Sequence, residues 1–244
     1  MKCVILAAGE GIRMRPLTEN TPKPMLQIWG KPILEHILSD LPSEIDEVIL
    51  VVGYLKESII NHLGNRFSNL KITYIEQTEK LGTYKALELC KDILDDGERF
   101  MMLYADDLHG AEGLKECVIC GQNAILIYES DDPTKFGVVE INEEKMIRSI
   151  EEKPENPKTN LVSTGVMVLD KDIFNFPARI HKNGESYLTD SVDQMIRAGY
   201  KFMAIRSSSW IPIGYPSDLE KAEEALNRND KFPMTNAKSI SNDK

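Results

Sequence analysis

Short apolar runs alternate with segments of helical periodicity through the first half of the chain. Three continuous apolar runs are typical of strands buried on both faces of a parallel sheet, at residues 3–8, 47–52 and 100–104. An alternating pattern predicts a further strand over residues 70–75. Apolar positions three and four residues apart predict helices between these strands, over residues 30–38, 59–63 and 84–94. This order of elements predicts an α/β fold with a doubly wound, Rossmann-like sheet, whose ligands lie beyond the carboxyl ends of its strands.

The second half of the chain has a more mixed pattern. Strands are predicted over residues 124–128 and 164–169, a hairpin over 138–151, and helices over 188–198 and 217–226. The last stretch, residues 228–244, is polar and aperiodic, which predicts a flexible C-terminal tail. No hexapeptide repeat is visible, so we expect a single domain over residues 1–227 without a C-terminal β-helix.

Composition and charge restrict the partners of this domain. The chain has 244 residues, of which 42% are hydrophobic and 28% charged, as in ordinary globular proteins. Its net charge of −10 argues against nucleic acid as a partner. No uncharged apolar stretch reaches about 18 residues, so no membrane span is expected. The four scattered cysteines fit a reducing cytoplasm. An anionic substrate would need local basic groups and a divalent cation.

The loop after the first strand contains candidate chemistry. Gly9 and Gly11 let backbone N–H groups approach an anion, because no Cβ stands in the way. Arg13, Arg15 and Lys23 follow within reach of the same loop. Prolines on either side of Lys23 predict an extended segment at that lysine. Together these features predict a site for a polyphosphate.

Later motifs place this loop in a longer pattern. The sequence L-A-A-G-x-G-x-R-x-x-P-L-T begins at Leu6, and Pro-Lys-Pro-Met follows at residues 22–25. Further polar and glycine motifs follow in order at residues 77–83, 104–107, 136–165 and 187–216. In this combination the chain resembles the sugar-1-phosphate nucleotidylyltransferases over residues 1–227, including the uridylyl, thymidylyl and N-acetylglucosamine-1-phosphate uridylyl branches. Such enzymes use Mg²⁺ to transfer a nucleoside monophosphate from an NTP to a sugar 1-phosphate, and they release pyrophosphate.

The resemblance implies roles on the nucleotide side of the site. Arg13 would stabilise the departing pyrophosphate and Lys23 would lie by the α-phosphate, as the two catalytic residues. The implied nucleotide-binding residues are Leu6, Ala8, Gly9, Gly11, Gln77, Gly82 and Thr83. The amide of Gln77 offers a donor and an acceptor to uracil or thymine, which favours UTP or dTTP. Tyr84 stands where the family commonly has a small residue, and it could reshape the base pocket.

The acceptor and metal positions match the family less uniformly. The implied sugar-phosphate-binding residues are Gly137, Glu152, Lys153, Ser163 and Thr189. Asp106 aligns with the carboxylate that binds Mg²⁺, whereas the adjacent Asp107 is expected to point elsewhere in an extended segment. The second metal ligand of the family falls at Pro212, whose side chain has no donor atom. This departure puts metal affinity, and therefore rate, in question.

Several alternatives stay open from the sequence. The same reaction could use GTP or CTP, or a phosphoalcohol such as phosphocholine as acceptor. A weakened member of the family that binds nucleotide or sugar phosphate for regulation is an alternative of another class, motivated by Pro212 and by Ala105 in place of the usual glycine. The intact Arg13, Lys23 and Lys153 favour the enzyme. The sequence chooses neither the sugar nor the oligomeric state, for which a homo-oligomer is one option.

Overall fold

The computed structural model describes residues 1–227, which contain fourteen strands and six α-helices. The strands are β1 Lys2–Ala7, β2 Gln27–Ile28, β3 Lys31–Pro32, β4 Glu47–Val52, β5 Arg66–Phe67, β6 Leu70–Glu76, β7 Arg99–Tyr104, β8 Asp107–Leu108, β9 Asn123–Glu129, β10 Gly137–Ile141, β11 Ile147–Glu152, β12 Leu161–Asp170, β13 Phe202–Arg206 and β14 Ile211–Pro212. The helices are α1 Ile33–Asp40, α2 Lys56–Leu63, α3 Thr83–Glu88, α4 Ala111–Ile119, α5 Leu188–Arg197 and α6 Ser217–Asn227. The tail expected over residues 228–244 lies outside the described residues.

Ten of these strands form one mixed sheet. Its order is β11-β10-β12-β7-β1-β4-β6-β5, and β9 pairs with β12 and β13. The central strands β7, β1, β4 and β6 run parallel, and β12 joins β7 in the antiparallel direction. The predicted doubly wound α/β sheet is therefore confirmed. Because ligands of such sheets bind beyond the carboxyl ends of parallel strands, the loops after these four strands define the candidate ligand cleft.

Alternating residues of the parallel strands pack into two separate cores. On β1, Ile5 faces a core that also contains apolar residues of α1, α2, α4 and α6. Its neighbour Val4 faces a second core, completed by α3 and α5. Helices thus cover both faces of the sheet, which explains why the strand sequences are continuously apolar. Each fully buried leucine or isoleucine contributes about 1.5–3 kcal/mol to folding.

The segment at Lys23 differs from the sequence expectation. It is a short 3₁₀ helix, Lys23–Met25, and not an extended segment. Pro22 before it is extended, and the Met25 N–H donates to the Pro22 carbonyl at 2.8 Å. Pro24 is tolerated because the first N–H groups of a helical turn have no partner within that turn. The prediction of extended backbone was therefore wrong, although the lysine is held firmly.

Other boundaries moved or were missed. The helix predicted over residues 84–94 ends earlier, at Glu88, and a 3₁₀ turn follows at Lys91–Ile93. The sequence interpretation did not include α4 or β13, which run over 111–119 and 202–206. Among residues 1–227, every helix is too short or too polar to cross a lipid bilayer.

Candidate active site

The loop after β1 packs against Lys23 on one side and is open on the other. Gly11 has a φ of +61°, and a Cβ there would lie 3.1 Å from both Lys23 Cβ and Thr18 Cγ2. The buried Thr18 donates its hydroxyl to the Gly11 carbonyl at 2.8 Å. At Gly9, by contrast, a Cβ would meet nothing within 4 Å. The loop therefore has a fixed inner side and a free outer side, as an anion cradle requires.

Lys23 and Asp106 form an ion pair at the carboxyl edge of the sheet. The Lys23 Nζ donates to Asp106 Oδ2 at 2.8 Å. The lysine side chain is only 9% exposed, whereas the aspartate side chain is 40% exposed. The Ala105 N–H donates to the Leu6 carbonyl at 3.1 Å, which brings the ends of β7 and β1 together here. The ammonium group is thus held in place while the carboxylate faces the cleft.

Arg13 extends from the glycine loop to the turn before α6. Its guanidinium carbon lies 5.4 Å from the ring centroid of Tyr215. Its Nη1 lies 3.7 Å from the point where a Cβ would stand on Gly214. The N–H groups of Gly214 and Tyr215 both donate to Asp218 Oδ2, at 3.0 and 2.9 Å. Asp218 therefore stabilises this turn, and the Arg13 side chain reaches it from the glycine loop.

Asp107 points away from Asp106 into a small two-stranded sheet. Strands β8 and β14 pair antiparallel, with Asp107 opposite Pro212. The Asp107 carboxylate accepts the Ile213 N–H at 3.0 Å and the Trp210 Nε1–H at 3.2 Å. Burial, together with the charge of Asp106, raises the pKa of Asp107 from 3.8 to about 7. This carboxyl group holds two strands together, in agreement with the expectation that it points elsewhere.

The donor set for a metal ion is correspondingly small. Across residues 1–227, no cluster of three or more His, Cys, Asp or Glu side chains is arranged to hold a metal ion. Asp106 is the carboxylate that faces the cleft, and Pro212 offers no side-chain oxygen. One carboxylate is nevertheless compatible with Mg²⁺, which is commonly held by one or two carboxylates and by substrate phosphates.

Gln77 follows β6 on the other side of the glycine loop. It is half-buried, and its N–H donates to the last carbonyl of β4 at 2.8 Å. A Cβ on Gly53 would lie 3.0 Å from both Ala8 Cβ and the Gln77 carbonyl oxygen. Gly53 thus lets the loops after β1, β4 and β6 approach one another. A glycine directly after a buried strand is a usable sequence signal for such a close approach of backbones.

Gly82 and Thr83 contact the segment that precedes α5. Gly82 has a φ of +93°, and a Cβ there would lie 2.6 Å from the Ser186 nitrogen. The Thr83 hydroxyl oxygen accepts the Leu188 N–H at 2.9 Å. Tyr84 is 1% exposed and packs in the core beneath α3 and α5. The ring of Tyr84 lies on the core-facing side of α3, and its effect on the base pocket stays a prediction.

Four of the five residues expected to bind the sugar phosphate lie together at the other end of the cleft, and we call them the acceptor cluster: Gly137, Glu152, Lys153 and Thr189. Gly137 is directly opposite Glu152 in the β10–β11 pair. Glu152 accepts the Thr189 hydroxyl at 3.0 Å and pairs with Lys153 Nζ at 3.0 Å. The same Nζ lies 5.3 Å from the ring centroid of Tyr187. A Cβ on Gly137 would lie 3.1 Å from Thr189 Cγ2, so glycine lets α5 pack closely on this cluster.

Ser163 lies beside this acceptor cluster. The β10–β12 pairing places it next to Gly137, at a bulge of β12. Its Oγ accepts the Gly165 N–H at 3.2 Å. Gly165 has a φ of +87°, and a Cβ there would lie 2.8 Å from Tyr104 Cε2. The bulge therefore fits under Tyr104, the last residue of β7, two residues before Asp106.

Sequence reasoning missed two contributors to this arrangement. Ser186 is 2% exposed and bonds to both ends of the segment 81–84, yet nothing in its sequence surroundings singles it out. Trp210 lies within the motif at residues 187–216, and its indole N–H donates to Asp107. Both act through contacts between segments about a hundred residues apart, which no local pattern reveals.

The sequence of this chain matches a known family over most of its length. Residues 2–229 match the nucleotidyl transferase family. The chain is 38% identical over 229 residues to the bifunctional protein GlmU of Methanocaldococcus jannaschii, covering 93% of this chain and 54% of that protein. It is 37% identical over 238 residues to UTP–glucose-1-phosphate uridylyltransferase AglF of Haloferax volcanii, covering 93% of this chain and 96% of that protein. The chain thus spans about half the length of the first relative and nearly all of the second.

Solved structures share the whole fold. A Bacillus anthracis protein assigned as a glucose-1-phosphate thymidylyltransferase, in complex with sucrose, superposes with a TM-score of 0.80 at 27% identity, covering 95% of this chain and 97% of that one. A UDP-glucose pyrophosphorylase in complex with UDP-glucose also gives a TM-score of 0.80, at 22% identity, covering 93% and 98%. The second likeness concerns the fold alone.

Proposed function

The chain belongs to the nucleotidyl transferase family, and we propose that it transfers a nucleoside monophosphate from UTP or dTTP to a sugar 1-phosphate, with release of pyrophosphate. The observation that supports this most directly is the Lys23–Asp106 pair, 2.8 Å apart at the end of β7. In the sheet, β7 lies between β1, which leads into the glycine loop, and β12, which carries Ser163. The pair therefore stands between the nucleotide side and the acceptor cluster.

Both reactants are anions, so the site must position them and neutralise their charge. A phosphate oxygen of the sugar 1-phosphate attacks the α-phosphorus, a new P–O bond forms, and the bond to the bridging oxygen breaks. Pyrophosphate leaves with that electron pair. Lys23 is buried and has little freedom, so its ammonium is suited to the charge that develops on the α-phosphoryl group. Arg13, whose side chain reaches from the glycine loop to Tyr215, is suited to the departing pyrophosphate.

Asp106 is the residue that would hold Mg²⁺. Its side chain is 40% exposed and Lys23 occupies only one of its oxygens, so a carboxylate oxygen remains for a cation. When bound, the ion would neutralise part of the phosphate charge. The side chains of Pro212 and Asp107 would add no ligand, since the first has no donor atom and the second is hydrogen-bonded to Trp210 and Ile213.

The base and the acceptor would occupy opposite ends of the cleft. Gln77, anchored at the end of β6, can offer an amide donor and acceptor to the edge of uracil or thymine. At the other end, Lys153 provides a cation for the acceptor phosphate, and Glu152 provides acceptors for sugar hydroxyls. Because the relatives include a UTP–glucose-1-phosphate uridylyltransferase, glucose 1-phosphate is the first acceptor to test.

A matrix of substrates tests this proposal. Pyrophosphate release is measured with UTP, dTTP, GTP, CTP and ATP against glucose 1-phosphate and N-acetylglucosamine 1-phosphate, with and without Mg²⁺. We expect turnover with UTP or dTTP that depends on Mg²⁺. Turnover only with GTP or CTP would overturn the assignment of Gln77.

A second candidate function is supported by one observation, the proline at position 212 opposite Asp107. A family member with a weakened metal site could bind nucleotide or sugar phosphate for regulation. Tight nucleotide binding in calorimetry without turnover for any substrate pair, including phosphocholine as acceptor, would favour this alternative and contradict the enzyme.

A further inference from the structure

We propose that Thr83 is a positioning residue that couples the nucleotide side of the cleft to the acceptor side. This inference rests on the proposed function. The Thr83 hydroxyl oxygen accepts the Leu188 N–H at 2.9 Å, and Leu188 is the first residue of α5. The next residue, Thr189, donates to Glu152 in the acceptor cluster. The Thr83 side chain therefore links the nucleotide loop directly to the first turn of the helix that shapes the acceptor site.

The contact at Thr83 is part of a wider junction. The Ser186 N–H donates to the Leu81 carbonyl at 2.8 Å, and the Tyr84 N–H donates to the Ser186 carbonyl at 3.0 Å. Gly82 lies between these two bonds with a φ of +93°, and a Cβ there would come within 2.6 Å of the Ser186 nitrogen. Only glycine permits this approach without displacing the backbone. Residues 81–84 and 186–188 are thus fastened at three hydrogen bonds and one close packing contact.

Movement at this junction would be transmitted to the acceptor cluster. The apolar side chains of Leu188, Val192 and Met195 are fully buried, so α5 is held as one body against the core. Thr189 lies so close to Gly137 that a Cβ on the glycine would be 3.1 Å from its methyl group. A shift of the first turn of α5 therefore displaces Thr189, and with it the hydrogen bond to Glu152.

The other end of the junction leads to the nucleotide. The segment that begins at Gln77 runs through Gly82 and Thr83, so a base bound at Gln77 would contact the same segment that bonds to Leu188. Nucleotide contacts that stabilise this segment also stabilise Leu188 and the acceptor cluster, and by linkage a bound acceptor must favour the nucleotide equally. We expect the sugar 1-phosphate to bind about fivefold more tightly when the nucleotide site is filled, at the lower end of typical coupling.

Calorimetry on the full chain measures this coupling. Glucose 1-phosphate is titrated in Mg²⁺ buffer with and without α,β-methylene-UTP, whose bridging carbon prevents transfer. Thr83→Val keeps the shape of the side chain but removes the oxygen that accepts the Leu188 N–H, whereas Thr83→Ser keeps that oxygen. In the wild type and in Thr83→Ser, we expect the analogue to tighten glucose 1-phosphate binding about fivefold. In Thr83→Val, the two affinities should differ by less than about twofold.

Thr73→Val is the matched control. The Thr73 hydroxyl donates one hydrogen bond, to Glu47 Oε1 at 2.8 Å, in the pairing of β6 with β4. This variant should retain the full coupling. As a second measurement, hydrogen exchange of residues 186–189 should slow when α,β-methylene-UTP alone is added to the wild type, and this slowing should be lost in Thr83→Val.

Several outcomes would overturn the inference. Equal coupling in the wild type and Thr83→Val would do so, as would a weaker nucleotide affinity with unchanged coupling, since Thr83 would then act on the nucleotide directly. A wild type that turns over substrates but shows no coupling refutes the inference alone. A wild type that shows neither turnover nor binding of either ligand refutes the proposed function as well.

Discussion

The two walls of the cleft use their polar groups differently. The nucleotide wall, residues 9–25, is one continuous stretch in which Gly11 and Thr18 pack around Lys23 and leave its ammonium at the cleft. The opposite wall, residues 105–107 and 210–215, joins segments about a hundred residues apart, and Asp107 bonds to Trp210 and Ile213 to hold them together. The first wall places its buried ammonium against Asp106 of the second wall, and the second wall uses Asp107 for its own structure.

Hydrogen-bond energies explain why Asp107 keeps its contacts within the second wall. Turning it toward a metal would leave the Trp210 and Ile213 N–H groups without their carboxylate partner. A buried donor left unpaired costs about 1–3 kcal/mol. Because Pro212, opposite Asp107, has no carboxylate, Asp106 is the one carboxylate that this wall presents to the cleft. Neutralisation of the phosphate charge should therefore depend most on the nucleotide wall.

The largest expected effect comes from Lys23→Ala. This change removes the ammonium that lies 2.8 Å from Asp106 and leaves the carboxylate without that partner. Loss of one electrostatic contact to the transition state costs about 10²–10³-fold in kcat. We therefore expect a drop of this size or more in the kcat of pyrophosphate release, in the presence of saturating Mg²⁺.

Lys71→Ala is the control for Lys23→Ala. Lys71 also pairs with a carboxylate, Glu47 at 2.9 Å, but its side chain is 62% exposed. Exposed pairs contribute about 0–1 kcal/mol, so both kcat and thermal stability should hardly change. If Lys23→Ala were as active as Lys71→Ala, the proposed role of the nucleotide wall would be wrong.

Gly11→Ala tests the packing beneath that ammonium. A Cβ at this position would lie 3.1 Å from Lys23 Cβ, at a φ of +61°. The left-handed conformation costs alanine about 1–2 kcal/mol. We expect about a tenfold loss in kcat/KM, which corresponds to a further 1.4 kcal/mol in the transition state.

Gly97→Ala separates backbone strain from packing. Gly97 also has a positive φ, +76°, but a Cβ there would meet nothing within 4 Å. Both variants should lower Tm by about 2–4 °C per kcal/mol lost. Only Gly11→Ala should lower kcat/KM. Equal activity of the two variants would show that Gly11 does not position Lys23.

Because one wall is a continuous stretch and the other joins distant segments, the two walls could not be predicted equally well from the sequence. The nucleotide wall was predictable because Gly9, Gly11, Arg13 and Lys23 are close in the chain, although the backbone conformation at Lys23 was not. The parallel strands were predictable because burial on both faces gives continuous apolar runs. The partners of Asp107 could not be predicted, since they depend on how β14 pairs with β8.

Pro212→Asp would add a carboxylate to the opposite wall. Hard cations favour carboxylate oxygens, and Pro212 faces the strand that follows Asp106. We expect the Mg²⁺ concentration for half-maximal pyrophosphate release to fall several-fold. Pro212→Ala, which adds no oxygen, is the control and should leave that concentration unchanged. A similar Mg²⁺ requirement in all three proteins would show that this position does not face the ion.

Trp210→Phe has the smallest expected effect on activity, and it tests the structural role of the opposite wall through thermal stability. The change keeps the aromatic contacts with Tyr128 and Phe136 but removes the N–H that donates to Asp107. One lost hydrogen bond to a buried carboxyl costs about 1–3 kcal/mol. Trp29→Phe is the matched control, because its Nε1–H donates to a carbonyl at 2.9 Å while its residue is 55% exposed. Calorimetry should show a lower Tm for Trp210→Phe than for Trp29→Phe; the reverse order would mean that the Asp107 contact does not stabilise this wall.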